Sequence, residues 1–432
     1  MEITCLDGEV TIRENLGNGT ETVMTKHVDH PGDTLREVLA RYKSPVMEKM
    51  PTFTGGLVGY FSYDYIKYSE PKLKLTSEGQ QDFRDMDLML FNEVIAFDHY
   101  RQKIMLITGV MTEDIEGSYQ KAEETLEDMA KLIREGEKET FPTLQLKTEI
   151  EPVFPKEQYC NMVEKAKQYI REGDIFQVVL SDPMKAEAEG SLFDTYRVLR
   201  AANPSPYMFY FSSDDIELSG ASPETLAKLD NGKLSTFPLA GTRPRGKTPD
   251  EDKALEEDLL QDEKELAEHN MLVDLGRNDL GRIARPGTVN VERLMEVERF
   301  SHVMHLTSRI TARLQPDLDA LDVLAATFPA GTVSGAPKVR AMEIIAETEQ
   351  LPRGPYAGCI GWLGLDDDNV SLDTGITIRS MWVKDGKLHW QAGGGIVFDS
   401  DPVAEWNEVY NKSAIMRTVL NTTGEDHVPA HR

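Results

Sequence analysis

Residues 248–276 read TPDEDKALEEDLLQDEKELAEHNMLVDLG, and this stretch organises the middle of the chain. Thr248-Pro249-Asp250-Glu251 has the form of a capping box with proline at the first helical position. Helical periodicity continues from there to Leu275, and the Gly276 that follows is a residue that often ends a helix. The stretch therefore predicts one long helix that carries many carboxylates.

Strand-like patterns occupy the N-terminal part of the chain. Glu9 to Arg13 alternates, Gly55 to Tyr65 is rich in glycine and tyrosine, and Leu88 to Phe97 is a dense apolar run. A charged helical pattern follows from Thr112 to about Glu137. These patterns predict a β-rich first domain that is closed by a helix.

A polar, proline-containing stretch up to Pro155 separates this part from the rest of the chain. The chain exceeds the length at which one hydrophobic core usually stops growing. We therefore expect a β-rich N-terminal domain over residues 1–145 and a catalytic domain over residues 146–432.

The second domain opens with apolar residues at helical spacing from Tyr159 to Ile170, followed by Gly173 as a left-handed cap. A strand comes directly after, from Ile175 to Ser181. Its alternation places Gln177 on the face opposite to Val178, so that Gln177 can point into a cleft.

Composition limits the partners of the chain. Its 432 residues include 74 acidic and 47 basic side chains, for a formal charge of −27. This charge repels nucleic acids and anionic membranes, so a small anionic substrate needs a bound metal or a local basic cluster. The widely spaced Cys5, Cys160 and Cys359 predict neither disulfides nor a zinc site, and no targeting or membrane segment is evident, so we expect a cytoplasmic protein.

Two helical segments each carry a pair of carboxylates one turn apart, Glu265 with Glu268 and Glu405 with Glu408. If the two faces meet, they supply the hard oxygen ligands that Mg²⁺ prefers. Lys412 lies on the second face and could contact a substrate anion. Each pair taken alone is more often a solvated helix face.

Glycine-rich segments give weaker signals. Gly331-Thr332-Val333-Ser334-Gly335-Ala336-Pro337-Lys338 could expose backbone N–H groups to an anion or could be a plain turn. Gly393, Gly394 and Gly395 follow a strand and would let a ligand approach the backbone, although a bulge is equally compatible. His305 lies in an apolar run, where a buried structural histidine is the commoner outcome.

Taken together, several segments resemble the chorismate-utilising enzymes, which include anthranilate, aminodeoxychorismate, isochorismate and salicylate synthases. The segments are GASPE (220–224), FPLAGTRPRG (237–246), EHNMLVDLGRND (268–279), the loop 331–338 and FTGGLVGYFSYD (53–64). The resemblance implies an α+β fold in which two antiparallel β-sheets pack as a sandwich with flanking helices.

The resemblance also implies roles for individual residues. Glu224 is expected as the general acid, with a pKa raised by burial beside other carboxylates, and His305 as a group that stabilises charge or transfers a proton. Glu265, Glu268, Glu405 and Glu408 would form the Mg²⁺ site. The expected substrate contacts are Thr332, Tyr356, Arg379, Gly393, Gly394, Gly395, Lys412, Ala240, Gly241 and Thr242.

Two positions distinguish the reactions within this family. Members that add water resemble one another in having a lysine base where this chain has Gln177, so the chain is expected to add ammonia. Many aminodeoxychorismate synthases have a nucleophilic lysine where this chain has Ala240. We therefore expect the conversion of chorismate and ammonia to anthranilate and pyruvate; formation of aminodeoxychorismate and a non-catalytic amino-acid sensor are the alternatives.

The resemblance finally implies partners. Asn203, Pro206, Tyr207 and Met208 resemble the segment that lines a tryptophan inhibitor pocket, but the family usually carries a preceding Leu-Leu-Glu-Ser motif that is absent from this sequence, so inhibition by L-tryptophan is left open. No cysteine has the context of a glutaminase nucleophile. Ammonia is therefore expected from a separate glutamine amidotransferase subunit in a hetero-oligomer.

Overall fold

The structure is a computed structural model, and it describes residues 1–15, 20–75, 83–300, 303–366 and 370–424. Helices and strands alternate irregularly along the chain. The strands are β1 (Glu2–Leu6), β2 (Glu9–Asn15), β3 (Glu21–His27), β4 (Gly56–Phe61), β5 (Met86–Phe91), β6 (Glu93–Asp98), β7 (Lys103–Thr108), β8 (Gln145–Leu146), β9 (Glu151–Pro152), β10 (Gln177–Glu189), β11 (Tyr207–Ser212), β12 (Ile216–Ser222), β13 (Thr225–Asp230), β14 (Lys233–Thr236), β15 (Leu239–Pro244), β16 (Asn290–Arg299), β17 (Val303–Arg313), β18 (Gly335–Ala336), β19 (Cys359–Gly364), β20 (Leu372–Ile376), β21 (Ser380–Lys384) and β22 (Lys387–Ile396).

The helices follow the amphipathic segments of the sequence. They are α1 (Pro31–Arg41), α2 (Ile115–Glu135), α3 (Lys156–Glu172), α4 (Phe193–Ala202), α5 (Pro249–Gln261), α6 (Glu263–Gly281), α7 (Ala320–Thr327), α8 (Lys338–Glu349), α9 (Pro402–Lys412) and α10 (Ala414–Gly424). None of the described helices is long and apolar enough to cross a membrane.

Two large antiparallel sheets form the framework. The first has 12 strands in the order β15-β17-β14-β13-β20-β19-β4-β5-β1-β2-β3, with β16 beside β17. The second has 8 strands in the order β11-β12-β21-β22-β10-β18, with β8 and β9 beside β10. Tyr60 of the first sheet and Phe211 of the second meet edge to face at 5.9 Å within one shared apolar core. The predicted α+β sandwich is therefore confirmed.

Helices cover the outer face of the second sheet. Apolar residues of α3, α8 and α9 pack on β10 and β22, and residues of α4 and α10 pack on β12, β21 and β22. The helix α6 lies instead against β15 and β17 of the first sheet. This arrangement brings α6 and α9, which carry the two carboxylate pairs, to the region where the sheets meet.

The first sheet crosses the predicted domain boundary. Strand β4 pairs with β19 over its whole length, from Gly56 opposite Gly364 to Phe61 opposite Cys359. Strands from the first hundred residues therefore continue a sheet that is built from residues 225–376. The division near residue 145 stays a prediction.

The prediction of one long helix over residues 248–275 was wrong in two respects. The helix is interrupted at Asp262, whose carboxylate accepts hydrogen bonds from the backbone N–H groups of Lys264 and Glu265 and so starts α6 anew. The capping box at Thr248 is also incomplete, because the Glu251 carboxylate binds the N–H of Lys247 instead.

The helix α6 also continues past Gly276 to Gly281. A Cβ atom at position 276 would lie 2.7 Å from Cδ1 of Ile310, which is fully buried in β17. The glycine therefore permits close packing of α6 on the sheet and does not end the helix.

We expect Gly276→Val to lower the free energy of unfolding by about 1–3 kcal/mol, because the added side chain overpacks the contact with Ile310. Gly281→Ala is the control on the same helix, since no atom lies within 4 Å of the added Cβ. It should leave stability unchanged or raise it slightly. Urea unfolding of both variants tests this, and equal effects would contradict the packing role of Gly276.

Candidate active site

A cavity of about 240 Å³ lies between the two sheets and is lined by residues of both, together with residues of α6 and the α9–α10 junction. Nine residues expected at the site from the sequence line it: Gln177, Glu224, Ala240, Glu268, Thr332, Tyr356, Arg379, Gly393 and Lys412. Segments that are up to 235 positions apart in the chain are thus brought to one place. The chemical roles of these residues stay predictions.

Two buried polar atoms on residues of this lining have no hydrogen-bond partner among the described residues. They are Oε1 of Gln177 and Nε1 of Trp390. Buried polar groups are almost always paired in proteins, with protein, water or ligand. The wall therefore offers hydrogen bonds that water or a bound molecule can complete.

Glu224 follows β12 and lies at the edge of the cavity. Burial raises the pKa of its carboxyl group to about 7, whereas Thr332, Arg379 and Lys412 act to lower it. Burial therefore raises the pKa as the sequence analysis expected, but the expected contribution of other carboxylates was wrong. A carboxylic acid that is still partly protonated at neutral pH can donate a proton.

Two cationic residues line the same cavity as Glu224. Arg379 is largely buried, and its pKa is lowered by that burial, with the charge of Glu224 acting in the opposite direction. Its guanidinium makes no ion pair with any carboxylate in the described ranges, and its backbone is left-handed, with φ of 49°. Lys412 Nζ donates to the carbonyl oxygen of Gly393 at 3.1 Å. The cavity thus presents cations to an anionic ligand.

His305 lies on β17, directly across from Thr242 of the neighbouring strand β15. Its Nδ1 is 3.1 Å from the carbonyl oxygen of Gly241 and 2.9 Å from Oγ1 of Thr242. Because a carbonyl can only accept, Nδ1 carries the proton in the neutral ring and Nε2 keeps its lone pair. Burial lowers the pKa of His305, which favours this neutral form. His305 and Thr242 are not among the lining residues, but the charge of Arg379, which does line the cavity, also acts to lower the pKa of His305.

The three glycines of β22 alternate between two sides of the strand. A Cβ atom at Gly393 would lie 2.6 Å from the hydroxyl of Tyr356, and one at Gly395 would lie 2.5 Å from Nε2 of Gln177. At Gly394 it would instead lie 3.3 Å from Oε2 of Glu405, on the side of α9. Side chains are excluded here because the strand is in close contact with groups on both sides.

The acidic face of α6 reaches the cavity through Glu268. Partial burial raises the pKa of its carboxyl, and the charges of Glu265 and Glu408 act in the same direction. On α9, burial raises the pKa of Glu405, with a further contribution from Glu408. Glu408 itself forms a half-exposed ion pair with Lys412 at 2.7 Å. The two helices therefore bring like charges within range of each other.

Within the described ranges, no three His, Cys, Asp or Glu side chains are close enough to hold a metal ion together, so Glu265, Glu268, Glu405 and Glu408 do not form one cluster. Mg²⁺ needs fewer protein ligands, because it usually takes one or two carboxylates and completes its shell with water and substrate oxygens. Glu268 and Glu408 are compatible with this smaller set in chemistry and charge, since Glu268 senses the charge of Glu408.

The residues expected at an inhibitor pocket lie away from this cavity. Tyr207 opens β11, and its hydroxyl is hydrogen-bonded to Asp373 at 2.7 Å and to Thr225 at 3.0 Å. Asn203 precedes it, and its Nδ2 is buried without a partner in the part of the chain that is described. Met208 is partly exposed. With Pro206 these residues form a separate group, and their role stays a prediction.

Sequence reasoning missed part of the wall. Trp390 and Gln391 line the cavity just before the glycines, and Gln391 Nε2 donates to Oγ of Ser181 at 2.8 Å. Their position in the sequence, just before the glycines at 393–395, could have indicated that they line the same cavity. The neighbouring buried pair of Glu349 and Arg353 gave no signal, because its residues lie outside every motif.

Comparisons with known proteins agree with this geometry. A family model described as chorismate binding enzyme matches residues 6–418. Anthranilate synthase component 1 of Acetivibrio thermocellus is 43% identical over 422 residues, covering 96% of this chain and 84% of that protein. The protein of the same name from Aquifex aeolicus is 44% identical over 394 residues, covering 90% and 79%. The crystal structure of anthranilate synthase component I from Streptococcus pneumoniae TIGR4 matches with a TM-score of 0.81 at 40% identity, covering 96% of this chain and 92% of that one.

The raised pKa of Glu224 makes stability depend on pH. The carboxyl group of Glu224 has a pKa near 4.5 in the unfolded chain and about 7 in the folded one. Its contribution to the free energy of unfolding is therefore fully present below pH 4.5 and is lost as the pH rises to about 7. Glu224→Gln removes the ionisable group and with it this fall in stability as the pH rises. The variant should gain roughly 1–3 kcal/mol over the wild type between pH 4 and pH 8. Urea unfolding at both pH values measures it, and a difference that does not change with pH would contradict the assigned pKa.

Proposed function

The chain belongs to the family of chorismate-binding enzymes, and we propose that it acts as the large subunit of an anthranilate synthase, which converts chorismate and ammonia to anthranilate and pyruvate. The observation that carries the proposal is that one cavity is lined both by Glu224, a carboxyl with a pKa of about 7, and by the buried cation Arg379. The site can therefore protonate a leaving group on a molecule that it holds by its carboxylates.

In the first step, ammonia adds at ring carbon 2 while the 4-hydroxyl departs as water with the proton of Glu224. The ring double bonds shift, and the new ammonium group loses a proton, so charge and atoms balance. Arg379 and the Tyr356 hydroxyl bind the enolpyruvyl carboxylate, with Gly393 leaving room beside them. Thr332 and Lys412 lie next to Glu224 and hold the other end of the substrate.

In the second step, the hydrogen on ring carbon 2 leaves as a proton and the bond between ring carbon 3 and the enolpyruvyl oxygen breaks, so that the ring becomes aromatic. The enolate that leaves takes up a proton at its methylene carbon and becomes pyruvate. His305 accepts the proton from ring carbon 2. The hydrogen bond from Nδ1 to Gly241 supports that role over charge stabilisation, because it leaves Nε2 unprotonated.

Mg²⁺ would be held by Glu268 and Glu408, with Glu265 and Glu405 adding to the negative field, and would supply charge neutralisation for the ring carboxylate of the substrate. The raised pKa values of Glu268 and Glu405 support this proposal, since carboxylates that repel one another are stabilised by a cation. The protein side chains then orient the ring and exclude water.

The nature of two lining residues supports addition of ammonia and formation of anthranilate. Gln177 cannot act as a base at neutral pH, so the site has no group there to activate water. Ala240 cannot act as a nucleophile, which disfavours the aminodeoxychorismate reaction. Glutamine-derived ammonia would come from a glutamine amidotransferase subunit that docks on this chain.

Two further parts of the proposal concern regulation and location. Inhibition by L-tryptophan would act through the group formed by Asn203, Pro206, Tyr207 and Met208. A cytoplasmic location is supported by Cys5, Cys160 and Cys359, which are all free thiols.

Purified chain with chorismate, Mg²⁺ and ammonium should release anthranilate and pyruvate in equal amounts, measured by fluorescence and a coupled pyruvate assay. At constant free ammonia, kcat/KM for chorismate should fall as pH rises above about 7, because Glu224 loses its proton. Glu224→Gln should lower kcat by about 10²–10⁴-fold. An amino-chorismate without pyruvate would support the aminodeoxychorismate alternative, and no turnover would contradict the proposed function.

Glu268→Gln and Glu408→Gln should each raise the Mg²⁺ concentration needed for half-maximal turnover by about 10-fold or more, because each removes a ligand charge. Glu263→Gln, at the exposed start of α6, is the matched control and should behave as the wild type. Turnover titrated with Mg²⁺ measures the effect. Variants at 268 and 408 that match the control would rule out this metal site.

A further inference from the structure

A fully buried ion pair lies directly behind the wall of the cavity. Arg353 donates from Nε to Oε2 of Glu349 at 2.9 Å and from Nη2 to Oε1 at 2.6 Å. The side chains are 1% and 2% exposed, respectively. Glu349 is the last residue of α8, so the bidentate contact ties that helix end to the loop before β19.

The pair contacts several segments of the cavity wall. Arg353 also donates to the carbonyl oxygens of Val333 and Val179, each at 2.7 Å. Both of these residues line the cavity, Val333 next to Thr332 and Val179 two positions after Gln177. One guanidinium therefore ties two adjacent segments of the wall together.

Glu349 extends the network to the glycine strand. Its Oε1 accepts hydrogen bonds from the backbone N–H and the hydroxyl of Ser181, both at 2.8 Å. The same hydroxyl accepts from Gln391, a lining residue of β22. The pair thus reaches β10, β22 and the loop at Val333 through hydrogen bonds alone.

The guanidinium of Arg353 also lies 5.6 Å from the ring centre of Tyr356, whose hydroxyl is beside Gly393. Burial raises the pKa of Tyr356, and the charge of Arg353 acts to lower it. A nearby cation makes a phenol a stronger hydrogen-bond donor. The ion pair therefore influences both the position and the donor strength of this hydroxyl.

Stability alone is a weak reason for such a pair. Removing two charges from water costs about as much as their attraction returns, and apolar replacements of both residues are often as stable. The planar guanidinium group of arginine instead fixes the positions of its hydrogen-bond partners, because its N–H donors point in fixed directions.

We infer that Arg353, held by Glu349, is a positioning residue that sets the carboxylate subsite of the cavity by orienting Tyr356 and the walls at Val179 and Val333. The inference rests on the proposed function, since Tyr356 acts there on the enolpyruvyl carboxylate of chorismate. Arg353 itself does not line the cavity.

Arg353→Lys keeps the charge but loses the fork, and it should lower kcat/KM for chorismate on the order of 10²-fold, mostly through a higher KM. Arg340→Lys is the matched control. Arg340 lies on α8, is bonded to Asp174 and Glu343 and stacks on Tyr169 at 5.3 Å, but it does not line the cavity. The control should leave KM unchanged, and neither variant should alter the Mg²⁺ requirement.

Two further variants separate positioning from folding. The double variant Glu349→Met/Arg353→Met should stay folded by circular dichroism and show the same rise in KM. Adding Tyr356→Phe to Arg353→Lys should cost less than the two single effects combined, because both act on one hydroxyl. Folded variants with the KM of the wild type, or additive effects, would overturn the inference. Wild-type turnover in the same assay tests the proposed function separately.

Discussion

Burial of carboxylates beside the cavity is the constraint on which the site depends. Burial is the main cause of the raised pKa of Glu268 on α6, the charges of Glu265 and Glu408 add to it, and Lys264 and Lys412 act in the opposite sense. A fold that brings like charges together in a chain of net charge −27 needs a cation to relieve them. The same cation would give a dianionic substrate a reason to enter an acidic protein.

The acid, the base and the anion-binding cations of the proposed reaction are different residues around the cavity. Burial keeps Glu224 partly protonated at neutral pH, while Arg379 and Lys412 supply positive charge to the same cavity. Burial, and to a smaller extent the charge of Arg379, lowers the pKa of His305 and favours its neutral form, although the contact with Gly241 acts in the opposite direction. Because each group has a different environment, one cavity can hold an acid, a base and anion-binding cations at the same pH.

The sequence predicted those features that depend on neighbouring residues. Gly173 ends α3 in a left-handed conformation, with φ of 85°, as its spacing after the helical pattern indicated. Gly276 was misinterpreted, because its close contact with Ile310 is decided by the three-dimensional surroundings. The break at Asp262 was missed, although its capping hydrogen bonds to Lys264 and Glu265 are local. The pairing of β4 with β19 joins residues about 300 positions apart, and no local pattern specifies it.

The same distinction, between features that the sequence indicates and features that only the packing decides, applies to the candidate site. Family resemblance supplied nine residues that line the cavity, but the cause of the raised pKa of Glu224 is burial and not other carboxylates, which only the packing reveals. Arg353 was missed for the same reason, since its partners Glu349, Val179 and Val333 converge only in the folded chain.

The central claim is that a divalent cation lets this acidic cavity bind a dianion, and calorimetric titration of chorismate in the absence of ammonia tests it most directly. Saturating Mg²⁺ should tighten chorismate binding by a factor of about 5–150, and chorismate should tighten Mg²⁺ binding by the same factor. Chorismate that binds equally well without the metal would contradict the account.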